Sequence, residues 1–420
     1  MTMAPTGDNQ ANPDALNAIV KASETYSIVA SQDIVDVQGL KLWAKGQPVS
    51  SALQQRLLDR KLRYPLEACL AAEDGVTSFS LHADLLACLN TDAPLARALR
   101  PWAPVLLEQV KQLPLHSVAQ LLLTAAMATR PSSLPHALES MMLAGAMASG
   151  PGLSSSVNVR MAMLGGLLHD IGEVYIQPEY LTSKAPLDLM GHKHLMVHPR
   201  VAQMLLSKTT DYPQTLCRAI GEHHERLDGS GYPARLLEPG ISSLGRLLAV
   251  VELTMGILRT PRAPLTRADF ALRVVPGEYD PAWSSFICNL ARAVPANPTT
   301  TPAQPAFSEG SPLQQIDERT ARAQQLALIL KAQGRAGPVL EIVDTALIRL
   351  NRLRQAWNAL GFWGANPHDL SPPELFELEL AGHELQQRLT QLQRECLLLG
   401  ERLGELEKMW LEPLWRGIAI

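Results

Sequence analysis

The sequence predicts a mainly helical protein: a helical bundle carries the chemistry, with a small mixed α/β module before it and a helical hairpin or coiled coil after it. Three observations predict this. Apolar residues recur at helical spacing over most of the chain, histidines crowd into one part of that pattern, and a proline-rich interval separates it from a heptad-like run. Of the 420 residues, 46% are hydrophobic and 19% charged. That balance suits a folded chain, and the length implies two or three domains.

Residues 1–21 open polar and rich in small residues, without the basic start and apolar core of a signal peptide, and are expected to be disordered. The stretch SIVASQDIVDVQGLKLWAKGQPVS holds two short β-prone runs around Val37-Gln38-Gly39, which predicts a hairpin. From Ser51 to Gln112, leucines return at helical spacing (Leu53, Leu57, Leu58, then Leu85, Leu86, Leu89), broken by the turn Glu73-Asp74-Gly75. Residues 22–112 are therefore read as a small mixed α/β domain. The region 113–294 is dominated by apolar helical segments such as Ser117–Thr129, His136–Ala148 and Arg160–His169. Prolines 295, 298, 302, 305 and 312 mark 295–313 as a semi-extended linker.

Residues 314–420 form a C-terminal helical module, with runs near 314–333 and 338–360. A third run places Leu385, Leu389, Leu392, Cys396, Leu399, Leu403, Leu406 and Trp410 at alternating steps of four and three, a heptad seam. The stripe Val339, Ile342, Ala346, Leu350, Leu353 and Trp357 is the favoured cover for it. A homodimeric coiled coil, or a partner protein docked on the seam, is the alternative, although Gly400 and Gly404 weaken a long free-standing helix.

A net charge of −4 offers no basic field, so no polynucleotide partner is expected. Cysteines 69, 88, 217, 288 and 396 are odd in number and lack CxxC pairs, which predicts buried thiols in a reducing cytoplasm. No uninterrupted apolar run reaches the roughly 18 residues of a membrane span. A cytoplasmic location is expected.

The chemistry lies in His136, His169-Asp170, His198, His223-His224 and Glu252. Imidazole nitrogen and carboxylate oxygen without cysteine suit iron, manganese or zinc. An aspartate beside a histidine can bridge two ions, and two ions can hold both the attacking and the leaving oxygen of a phosphodiester. Taken singly, each residue has an ordinary reading. A His-Asp pair arises by chance, His136 on an apolar helix can be a satisfied histidine, and adjacent His223 and His224 point to different sides of a helix. GEHHERLDGSGYP, from Gly221 to Pro233, places a glycine-rich turn and an aromatic directly behind the paired histidines, where backbone can approach a phosphate or a base. His192 and His194 also fall near His198, in MGHKHLMVHP.

LLHDIGEVYIQPEYL (Leu167–Leu181), His198-Pro199 and HHERLDGSGYP together resemble, in order and approximate separation, the motifs of the HD-GYP domains of the HD superfamily. The resemblance covers about residues 114–270. It implies an HD-superfamily helical bundle with ligands projecting inward from facing helices. It also implies a cyclic di-GMP phosphodiesterase in which a hydroxide bridging two metals attacks phosphorus, giving linear pGpG, with GMP left open as a further product. A related cyclic dinucleotide is the other substrate it allows. Residue by residue, it makes His136 the early histidine, His169 and Asp170 the HD pair, His198 the middle ligand, and His223 and His224 the paired ligands. Glu252 stands where the family has aspartate. His169 and Asp170, with Glu173, occupy the catalytic positions. Gly231, Tyr232 and Pro233 form the substrate-side loop, and Arg259 and Arg262 stand where they could reach phosphate, with solvated loop charges as their ordinary reading. Ser132 replaces a glutamate that members with a third metal carry, so two divalent ions, iron or manganese, are expected.

A second departure bears on activity. The family's HDIGK lysine is Glu173 here, which replaces an attraction for phosphate by a repulsion. Glu173 and the altered segment around Arg262 motivate the alternative reading, a degenerate HD-GYP protein that binds a nucleotide or a partner and signals without hydrolysis.

Overall fold

The computed structural model describes residues 10–57, 59–150, 157–182, 187–259, 263–293, 312–334, 337–361 and 370–415, with backbone alone at 312–316 and 413–415. The fold is mainly helical. The described parts fall into two compact units: Met1–Thr260 with Glu278–Val294, and Pro261–Gly277 with Pro295–Ile420. This division differs from the one read from sequence, which put 113–294 in a single domain apart from 22–112.

In the first unit the N-terminal part packs on the bundle. Pro13–Ala22 is a helix where disorder was expected. The Asn12 side chain accepts the Ala15 N–H, Pro13 suits the first helical position, and Ala15, Leu16, Ala18, Ile19 and Ala22 make one buried face. That face is small-residue rich, which is why it reads as non-periodic. It packs against the Ser117–Thr129 helix and the 3₁₀ segment Ile171–Tyr175.

The hairpin predicted at Val37-Gln38-Gly39 is present. Ile34–Val35 pairs antiparallel with Lys41–Trp43, and Gly39 takes φ +87°, a left-handed turn conformation. Ile28–Ala30 pairs antiparallel with the distant Leu70–Ala72, with Ile28 opposite Ala72. Two hydrogen bonds tie this module to the bundle: Val76 N–H donates to Thr124 Oγ1 at 3.0 Å in a buried place, and Tyr175 Oη donates to Glu67 Oε1 at 2.5 Å in a partly buried one.

The bundle is built from Ser117–Thr129, Ser133–Ala148, Val159–Leu168, His198–Thr209, Gln214–Gly221 and Ser243–Leu258. The Ser133–Ala148, Val159–Leu168 and Ser243–Leu258 helices pack together around Met141, Met142, Leu164, Leu168, Leu247 and Val251, all buried. The Ile171–Tyr175 turn is pressed onto His198–Thr209. A Cβ on Gly172 would lie 2.1 Å from the His198 carbonyl oxygen and 3.0 Å from Ala202 N, so only glycine allows the approach.

In the second unit, Pro264–Arg273 joins the C-terminal helices rather than the bundle. Phe270 is buried in their core, Arg267 ion-pairs with Glu379 at 3.0 Å, and Arg388 donates to the Ala271 carbonyl at 3.0 Å. The stripe Val339, Ile342, Ala346, Leu350, Leu353 and Trp357 is buried on Pro338–Ala359, which packs against Pro372–Gly400 with Leu385, Leu389, Leu392 and Cys396 inward. The seam is thus covered within the chain. It is not one helix, however: Pro372–Gly400 ends at its glycine, and Glu405–Trp415 starts anew with Leu406 exposed.

The start of the chain to residue 9 and most of the 295–313 linker lie outside the described residues. None of the five cysteines forms a disulfide, and Cys88 and Cys288 are half-buried rather than buried. Among the described residues no helix is long and apolar enough to cross a membrane.

Replacing Gly172 by alanine drives a methyl into the backbone of the His198–Thr209 helix and is expected to cost about 1–3 kcal/mol. Thermal unfolding of the variant should fall by roughly 3–10 °C. An unchanged transition would show that the turn does not press on His198–Thr209 as described.

Candidate metal centre

Each side chain of the cluster is delivered by a helix or by the turn that ends one. His136 lies in the first turn of Ser133–Ala148, His169 and Asp170 follow Val159–Leu168, and His198 opens His198–Thr209. His223 and His224 follow Gln214–Gly221, and Glu252 lies within Ser243–Leu258. The structure brings all seven together in two groups that share Asp170: His136, His169, Asp170 and Glu252, and Asp170, His198, His223 and His224. In each group the ligand atoms lie within 4.8 Å of one another.

Asp170 faces both ways. Its Oδ2 is 3.3 Å from His136 Nε2 and 3.3 Å from His169 Nε2, while its Oδ1 is 3.3 Å from His198 Nε2 and 3.6 Å from His223 Nε2. Glu252 spans the groups in a similar way, with Oε2 3.3 Å from His169 Nε2 and Oε1 4.0 Å from His224 Nε2.

Three histidines are locked from behind by backbone. The Nδ1 atoms of His169, His198 and His223 lie 2.8, 2.7 and 2.6 Å from the carbonyl oxygens of Gly166, Leu195 and Ile220. A carbonyl only accepts, so each Nδ1 carries the proton and each Nε2 presents its lone pair to the centre. His198 and His223 then meet Nε2 to Nε2 at 3.1 Å, and His136 and His169 at 3.3 Å. Glu252 Oε2 is buried without a well-formed hydrogen bond. Converging lone pairs and a buried carboxylate oxygen lacking a proper donor fit divalent cations, and both groups are able to hold them.

His136 is the exception. The Arg259 guanidinium lies 3.3 Å from its Nδ1 and can only donate, so a neutral ring keeps its proton on Nε2, and ligation requires the other tautomer.

In the metal-free chain the histidines of the cluster are shifted in opposite directions. Burial alone would lower the His169 pKa, but the Asp170 and Glu252 carboxylates raise it well above the ordinary value, and Asp170 and Glu173 raise His198 despite its burial. His223 and His224 move the opposite way, lowered first by burial and then by neighbouring histidines. Burial would raise Asp170 and Glu252, yet the surrounding histidines hold both below the carboxylate range.

The substrate-side loop folds back on the cluster. Glu225, buried, accepts the N–H groups of Ala234 at 2.6 Å and Leu236 at 2.9 Å. A Cβ on Gly231 would lie 2.4 Å from backbone atoms of His224, Glu225 and Arg226, so glycine is required there. Tyr232 stacks on His224, with centroids 4.4 Å apart at 19°, and its N–H donates to the His224 carbonyl at 3.1 Å. Burial and the Glu252 and Asp170 carboxylates push its hydroxyl well above the ordinary range, which keeps it a donor. Pro233 is exposed. Arg262 lies outside the described residues. His192 and His194 belong to neither group, and the His194 ring stacks on Tyr180 instead.

Glu173 does not stand as a lone negative charge. It is ion-paired with Arg130, which follows the Ser117–Thr129 helix. Sequence reasoning missed Arg130, whose only signal is a basic residue six positions before His136.

Residues 116–265 match the family model described as an HD domain. Among curated proteins, the chain is 32% identical over 87 residues to a 3'3'-cGAMP-specific phosphodiesterase 3 of Vibrio cholerae, a match covering 21% of this chain and 19% of that protein. It is 34% identical over 94 residues to a cyclic di-GMP phosphodiesterase of Pseudomonas aeruginosa, covering 22% and 23%. It is 32% identical over 117 residues to the cyclic di-GMP phosphodiesterase response regulator RpfG of Xanthomonas campestris pv. campestris, covering 28% and 31%. The chain thus spans less than a third of the length of these relatives. No solved structure matches.

Because ligation requires Nε2 free, metal uptake should compete with protonation of His169 and His198. Both pKa values are raised, so apparent affinity should climb as pH rises through and above the ordinary histidine range. Calorimetric Mn2+ titrations in buffers of different ionisation enthalpy should record proton release between about pH 6 and 8. Uptake without proton release and with pH-independent affinity would contradict this.

Proposed function

Taking the HD domain at residues 116–265 as premise, we propose that this chain hydrolyses a phosphodiester bond of a cyclic dinucleotide, cyclic di-GMP in the first place, giving linear pGpG. The observation that carries the reading is Asp170, whose two oxygens face two separate histidine groups. A carboxylate so placed suits a bridge between two divalent ions, iron or manganese. Such ions supply a water of lowered pKa and neutralise charge on the phosphate oxygens.

The chain's own residues do the rest. The backbone carbonyls of Gly166, Leu195 and Ile220 fix three imidazoles so that no reorganisation is needed when substrate arrives. Glu225 and Gly231 hold Tyr232 against His224, where its protonated hydroxyl can donate to an anionic substrate. Arg259, beside His136, adds a cation at the same centre. The relatives' names support a cyclic dinucleotide and divide between cyclic di-GMP and 3'3'-cGAMP, so both are tested.

Glu173 motivates the second reading, a domain that binds nucleotide without hydrolysis. Its pairing with Arg130 removes part of that motive, because the rim gains a cation along with the carboxylate.

Chain loaded anaerobically with Fe2+ or Mn2+ should convert cyclic di-GMP to pGpG, and Asp170→Ala should reduce turnover to background with the fold retained. Intact metal content and measurable nucleotide binding without product from either dinucleotide would favour the non-hydrolysing reading.

A further inference from the structure

The rim of the ligand cluster carries a charged pair that the ligand set does not use. Glu173 sits one 3₁₀ turn beyond Asp170, and its N–H donates to the Asp170 carbonyl at 2.9 Å, so its carboxylate is anchored to the same backbone as the shared ligand. Arg130 reaches it from the end of the Ser117–Thr129 helix.

The two side chains are only partly open, 24% exposed for Arg130 and 13% for Glu173. A pair in that position is screened less by water than a surface pair and holds its geometry better. Among the described residues Glu173 is the guanidinium's sole side-chain partner. A guanidinium has five N–H donors in a rigid fork, and one carboxylate occupies at most two, so the remaining donors are available to a second anion. A carboxylate alone would add a third negative charge to Asp170 and Glu252 and repel phosphate. The pair instead is neutral and presents donors.

We propose that Arg130 is a phosphate-binding residue of this centre, and that Glu173 is the positioning residue that holds its guanidinium at the rim. This rests on the reading above that the substrate carries phosphate. Arg130 would take a phosphate oxygen through donors left free by Glu173. Arg259, beside His136, would contribute a separate cation.

The test is binding rather than turnover. Mn2+-loaded full-length chain is titrated with a hydrolysis-resistant phosphorothioate analogue of cyclic di-GMP and, separately, with inorganic phosphate. Arg130→Ala should weaken binding of both probes about tenfold or more and flatten the salt dependence, as loss of a charge-assisted contact requires. Glu173→Gln, which loosens the guanidinium without deleting it, should cost less than Arg130→Ala. Metal content and helicity are measured alongside. If Arg130→Ala loses its metal, Arg130→Lys and Arg130→Gln decide: tighter binding by the lysine variant supports the proposal, and equal binding overturns it.

Wild-type affinity retained by a metal-replete Arg130→Ala would overturn the assignment while leaving the cyclic dinucleotide reading intact. Binding of phosphate but not of the dinucleotide by wild type, lost in Arg130→Ala, would sink the dinucleotide reading and sustain Arg130. Wild-type chain that binds neither probe overturns both.

Discussion

One half-buried carboxylate organises this protein's candidate site. Asp170 turns one oxygen to His136 and His169 and the other to His198 and His223, and every other feature of the centre is arranged around that division. Carboxylates and imidazoles at 3–4 Å in a buried place need positive charge among them. In the metal-free chain the neighbouring carboxylates raise His169 and His198 against the effect of burial, while burial and neighbouring histidines lower His223 and His224. Competition between protonation and ligation at the raised pair couples metal uptake to pH.

The bundle's task is to keep that division rigid. The carbonyls behind three histidines set their tautomers, and Gly172 lets the turn after Asp170 press directly on the backbone of His198. The N-terminal module belongs to the same compact unit and buries Glu67 against Tyr175, five residues beyond the shared aspartate. It therefore forms part of the scaffold under the turn that carries Asp170. The C-terminal helices make a core of their own, into which Pro264–Arg273 is recruited through Phe270.

The ligand set was legible because its signal is local. His169-Asp170, His198, and His223-His224 with the glycine-rich turn are short strings whose order carries information, and helical periodicity brackets them. What escaped the sequence is pairing across distance. Glu173 reads as a charge inversion when seen alone, and its partner Arg130 lies 43 residues earlier with no periodic relation to it. Likewise, nothing local shows that Pro264–Arg273 sides with the C-terminal helices, since its allegiance depends on Glu379 and Arg388 more than 100 residues away. The Pro13–Ala22 helix was missed because alanines carry much of its apolar face. The break after Gly400 was foreshadowed by glycine composition but not by the leucine spacing.

The account stands on Asp170 as a ligand shared by two sites. Crystals of the Mn2+-loaded chain, measured at a wavelength where manganese scatters anomalously, address this directly. The account predicts two anomalous peaks roughly 3.5–4 Å apart, one beside each Asp170 oxygen. A single peak, or two peaks with Asp170 turned away from either of them, would contradict it.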